Sequence, residues 1–133
     1  MLALAVMAPA RAAEPLPRHA VVMFSNQCVS EQSGDLYGAR ITLRRIGKVD
    51  DAVLERADYP PLVIWPVTWD APQPGHLSFQ IPAAAEPAAA VSGQLSRDGR
   101  TLTLKGLYGD PARVSVMPRM SDLRRNTPRC GTR

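Results

Sequence analysis

Two cysteines, two tryptophans, two phenylalanines and two histidines are all that 133 residues hold of the side chains that commonly anchor a small core or a metal site. Aromatic residues make up 5% of the chain, so a core must rest mainly on Val, Leu and Ile. Long apolar stretches are also missing. Thirteen prolines and nine glycines interrupt the chain so often that no apolar-periodic segment reaches ordinary helix length. That disfavours a helical bundle, and it disfavours a parallel sheet, which needs crossover helices. No segment is long and apolar enough for a transmembrane helix.

The chemistry of common active sites is equally scarce. His19 and His76 stand far apart, with no ligand-like spacing to a cysteine or acid, so no metal site is expected. There is no phosphate-binding loop, no dinucleotide fingerprint and no G-x-S-x-G nucleophile elbow. Asp70 and His76 are near in sequence, but nothing places a serine beside them. Asp50, Asp51 and Asp58 fall in loop-like sequence and read as solvated or capping groups rather than a catalytic pair. The chain is therefore expected to be no enzyme and to need no cofactor.

What is present is a rhythm of short alternating runs. In residues 91–106, VSGQLSRDGRTLTLKG, the apolar positions 91, 93 and 95 alternate with polar ones, as Leu102 and Leu104 do after the turn. Between the runs, Asp98-Gly99 predicts a hairpin closed by a type I′ turn, with positive φ at both residues. Residues 20–26 (AVVMFSN), 39–44 (ARITLR), 76–81 (HLSFQI) and 112–117 (ARVSVM) read as further strands, His76 lying on a wet face. Residues 50–56 read either as a short Asp-capped helix or as a decorated loop, and residues 81–90 as an Ala- and Pro-rich loop.

Residues 59–70, YPPLVIWPVTWD, stand apart. Val63, Trp65, Val67 and Trp69 share a period of two, but Pro66 cannot donate a ladder hydrogen bond, so this strand belongs at an edge or carries a bulge. The tryptophans either fill the core or display an aromatic binding surface. Six or seven such strands imply an all-β fold, a small antiparallel meander. It is closed as a β-barrel of the architecture seen in lipocalins and streptavidin, or folded as a two-sheet sandwich.

Residues 1–12, MLALAVMAPARA, are apolar and contain the small-x-small pattern Ala10-Arg11-Ala12, which reads as the remnant of a secretory signal peptide. Residues 13–133 then form one β domain. Export to a periplasmic or extracellular compartment makes a disulfide between Cys28 and Cys130 the expected state, stapling the C-terminal tail to the first strand. Residues 119–133 carry Arg119, Arg124, Arg125, Arg129 and Arg133 against Asp122 alone, so the tail holds the whole net charge of +4. It reads as a solubilising terminus or as an electrostatic handle, through Arg124 and Arg125, for an anionic surface. Nucleic acid is the least favoured partner, because few aromatics are available to stack on bases. Taken together, these features suggest an exported, non-enzymatic binding protein acting through contact with a protein partner in the cell envelope, as an inhibitor, immunity or accessory protein. The alternative is a small-ligand carrier with its site in a barrel mouth.

Overall fold

The computed structural model describes residues 19–46, 49–57, 63–68, 75–82, 89–121 and 127–131, with the course of the backbone alone over 63–68. Among these residues the protein is all-β, with two antiparallel sheets and no helix. The strands are His19–Ser25 (β1), Cys28–Val29 (β2), Leu36–Ile46 (β3), Val49–Ala57 (β4), Val63–Thr68 (β5), His76–Ile81 (β6), Ala89–Leu95 (β7), Thr101–Lys105 (β8) and Val114–Pro118 (β9). One sheet runs β1-β3-β4-β5, with β2 also on β3; the other is the meander β6-β7-β8-β9. The described residues hold nine strands where six or seven are expected, because β2 is a two-residue extension of β1 and β4 occupies sequence read as something else.

Residues 50–56 are neither helix nor loop but the body of β4, and Asp50 and Asp51 are therefore strand residues. The correction has a simple cause. Ala52 and Leu54 are buried while Asp51, Val53 and Glu55 are not, a period of two that the charged residues disguise. Arg44 and Asp51 face each other across the β3–β4 ladder and pair, Arg44 Nε donating to Asp51 Oδ1 at 2.7 Å.

The inner rows of both sheets form one core, including the fully buried Phe24, Ile41, Leu54, Leu102, Leu104 and Met117. Each such side chain contributes about 1.5–3 kcal/mol relative to exposure. Gly93, on the inner face of β7, lies between Leu77 and Leu104 in the cross-strand register. A Cβ there would come within 2.7 Å of Leu104 and 2.9 Å of Leu77, so the missing side chain is what lets the two leucines meet.

The inner row of β4 ends in a charge. Arg56 is 6% exposed, and its Nη1 donates to the carbonyl of Leu107 at 2.9 Å. That bond ties the first sheet to the turn following β8, where the Tyr108 ring lies 3.9 Å from the Arg113 guanidinium carbon.

The β7–β8 hairpin forms as expected, but not with a type I′ turn. No described residue other than glycine has positive φ, so Asp98 stays on the ordinary side and Gly99 alone, at φ 68°, is left-handed. Gly99 N donates to Ser96 O at 2.9 Å and Ser96 N to Thr101 O at 2.8 Å, giving a longer loop with a single left-handed glycine. The Asp98 carboxylate decides this. It accepts from Ser96 Oγ at 2.6 Å and from Arg100 N at 3.1 Å, interactions that hold the turn and keep the carboxyl below its usual range. On the other strand, β7 begins at Ala89, inside the stretch read as loop.

In β9 the valines face outward. Leu102 opposes Met117 and Leu104 opposes Ser115, which sends Met117 and Ser115 to the core and leaves Val114 and Val116 about half exposed. Among the described residues β5 pairs with β4 alone, which puts Pro66 on an edge strand, as its missing N–H requires. The leader reading of residues 1–12 lies outside the described residues.

Candidate functional site

The line formed by β1 and β2 is interrupted at Asn26 and Gln27, although both strands keep one register against β3. Opposite the interruption, Gly38 has φ 86°, and a Cβ there would come within 2.7 Å of the Asn26 carbonyl and side chain. Asn26 fills the gap in the ladder. Its N donates to Ala39 O at 3.0 Å, and Ala39 N donates not to a backbone carbonyl but to Asn26 Oδ1 at 2.8 Å. Gln27 N in turn donates to Ser25 Oγ at 3.1 Å. Gln27, of a residue type mostly found exposed, is only 3% exposed here.

Beside the interruption lies a cleft of about 510 Å³. Residues 25–28 form one wall, Thr101, Val116 and Pro118 the opposite one, and the tail from Pro128 to Gly131 closes one end. The tail is fixed covalently: Cys28 and Cys130 are disulfide-bonded with their Cα atoms 4.9 Å apart. It is also fixed as a fragment of strand. Val29 N donates to Pro128 O and Cys130 N to Val29 O, both at 2.9 Å, in a parallel bridge between Val29 and Arg129. Arg129 extends to solvent and pairs with Glu31 at 3.3 Å.

At the other end of the cleft the two sheets touch. Phe24 and Arg119 form an antiparallel bridge, and Met120 N donates to Met23 O at 2.8 Å. Between these two contacts the walls stand apart. Within this site Gln27 is the unbalanced group, because its Nε2 is buried with no hydrogen-bond partner among the described residues. A buried N–H left unpaired costs about 1–3 kcal/mol, so its presence asks for a reason.

Among the described residues, the lining holds one ionisable side chain, Arg129, and no carboxylate or histidine. Among the described residues no three His, Cys, Asp or Glu side chains gather as a metal site requires, and no helix is long and apolar enough to cross a membrane. Of the residues singled out in the sequence, Cys28 and Cys130 are brought into this site. Trp65 stands opposite Leu54 on β5, the edge of the first sheet remote from β1. Trp69, Arg124 and Arg125 lie outside the described residues. Sequence reasoning missed Gln27, Asn26 and Pro118. The available signal was the polar triplet Ser25-Asn26-Gln27, set between an apolar strand and a disulfide cysteine. The chain matches no protein-family model, no curated protein and no solved structure.

Proposed function

We propose that this chain is an exported, non-catalytic binding protein that acts by contact with a protein partner, as an inhibitor, immunity or envelope accessory protein. The observation that carries this reading is the cleft between two sheet edges. The disulfide-fixed tail closes it at one end, and hydrogen-bonding side chains such as Ser25, Asn26 and Thr101 are part of its lining. A disulfide suits an oxidising compartment, which supports export to the periplasm or the medium. In the same reading the two sheets are halves of one curled meander approaching an up-and-down barrel. The Phe24–Arg119 bridge and the Met120–Met23 hydrogen bond support that view at one seam.

The test is capture from envelope extract by the oxidised protein, followed by calorimetry with the purified partner. A one-to-one complex retained under oxidising conditions is the expected result. Turnover of a substrate by the purified chain contradicts the reading. Arg124 and Arg125 are proposed as an electrostatic handle on an anionic partner, so replacing both with Ala weakens binding and flattens its salt dependence. Trp65 and Trp69 are proposed as an aromatic display surface. Emission typical of water-exposed indole supports that assignment, and strongly blue-shifted emission opposes it.

A second reading, a small-ligand carrier, is favoured by the cleft's size, which falls within the range of roughly 300–1,000 Å³ typical of small-molecule sites. Native mass spectrometry that finds a retained small molecule and no protein partner selects it.

A further inference from the structure

Several of the described arginines are matched to a partner. Arg40 stands opposite Glu55, Arg44 pairs with Asp51 and Arg129 with Glu31, while Arg56 bonds the Leu107 carbonyl and Arg113 stacks on Tyr108. A second group is not. Among the described residues, the guanidinium groups of Arg97, Arg100 and Arg119 form no ion pair and no hydrogen bond, and all three residues are exposed.

The fold gathers these three. Arg97 and Arg100 flank Asp98-Gly99 in the β7–β8 turn. One step beyond the last ladder pair, Thr101 opposite Pro118, Arg119 comes against Arg100, its N donating to Arg100 O at 2.7 Å. The Arg119 side chain lies back over the turn, since a Cβ on Gly99 would stand 4.0 Å from its Nη1. The acid among them is already committed, Asp98 accepting from Ser96 Oγ at 2.6 Å and from Arg100 N at 3.1 Å. Three cations around one carboxylate leave a charge of +2. Like charges set against each other across a ladder are unfavourable, whereas the first sheet opposes Arg44 to Asp51. An arrangement that stability disfavours gains a use when an anion comes between the guanidinium groups.

We propose that Arg97, Arg100 and Arg119 form a docking surface for a carboxylate-rich segment of the protein partner, at the rim of the cleft. The inference rests on the binding-protein reading and names the chemistry of that partner. Thr101 and Pro118, which line the cleft, are the chain neighbours of Arg100 and Arg119, so a partner seated in the cleft meets the arginines at its margin. Two features favour a protein over a lipid surface. The cations stand beside a recess, and the turn from Ser96 to Thr101 carries no exposed large hydrophobic side chain to enter a bilayer. Each guanidinium fork can take a carboxylate with two parallel hydrogen bonds, and charges at a rim act chiefly on the rate of encounter.

A fluorescently labelled oligoglutamate peptide supplies the probe, titrated by anisotropy against the oxidised full chain, with vesicles of equal parts phosphatidylcholine and phosphatidylglycerol as the comparison. The expected result is saturable peptide binding that weakens steeply with salt. Arg119→Gln should weaken it about fivefold at low salt. Its Tm should stay equal or rise, because the repulsion with Arg100 is relieved. Lys105→Gln removes the same charge at the far end of β8 and should leave the affinity within about twofold. Absence of peptide binding, equal losses in Arg119→Gln and Lys105→Gln, or vesicle binding through Arg119 in place of peptide binding overturns the inference. A natural protein partner that binds Arg119→Gln with unchanged affinity and salt dependence overturns the docking surface and leaves the binding-protein reading standing.

Discussion

The β7–β8 hairpin and the seam between β9 and the β1–β2 line are both meetings of antiparallel backbone, yet among the described residues the first is closed and the second shows a bridge at Phe24 and Arg119 with one hydrogen bond beside it. In the hairpin, Ser96, Asp98 and Gly99 satisfy one another within six residues of chain. In the seam, a proline interrupts the zipper, and the buried Gln27 amide is left unpaired. The closed meeting contributes stability and presents no binding group. The open one forgoes stability at the place where two edges and a fixed tail converge, the pattern expected where a binding surface is maintained.

The largest expected effect comes from releasing the closed end of the cleft. Replacing Cys28 and Cys130 together with Ala removes a cross-link spanning 102 residues and should lower stability by about 4–5 kcal/mol on the chain-entropy account. Denaturant unfolding measures the loss. Partner binding should fall with it, whereas the β7–β8 hairpin should keep its hydrogen-exchange protection for as long as the chain remains folded.

Next in size are the two glycines that shape the regions compared. Gly38→Ala places a Cβ at positive φ against Asn26 and should cost about 1–3 kcal/mol. Gly93→Ala overpacks Leu77 and Leu104 and should cost a similar amount. The two separate in function: the first disturbs the cleft wall and lowers binding, while the second lowers Tm with binding intact below the transition.

A smaller effect belongs to the turn. Asp98 is held below its usual range first by Ser96 Oγ and then by the Arg100 N–H. Its folded value is depressed, so its contribution is fully present above the ordinary carboxylate value of about 3.9 and is lost as pH falls through the lower, folded value. Asp98→Asn should flatten the acid limb of the Tm–pH curve slightly. An unchanged acid limb contradicts the role given to this carboxylate. The smallest change in stability, and the most informative, is that of Gln27→Leu, where removing an unpaired amide should leave Tm unchanged or raised.

The all-β class, the disulfide and the inward rows of β6, β7 and β8 were legible because each follows from local alternation or from residue type. What stayed hidden depends on long-range partners. β4 was obscured because its outward face is charged, and the period of two shows through only Ala52 and Leu54. The outward valines of β9 are set by the register of Leu102 against Met117, which no window of local sequence encodes. The cleft was invisible for the same reason: Gln27 and Pro118 are 91 residues apart, and neither is unusual until the seam brings their strands together.

Amide-resolved hydrogen exchange on the free, oxidised protein tests the open seam most directly. Ser115 and Met117, whose N–H groups face β8, should exchange slowly, while Val116 between them exchanges at a rate close to that of solvent-exposed backbone. Comparable protection at all three positions would mean that β9 is already paired on both edges, which contradicts the account.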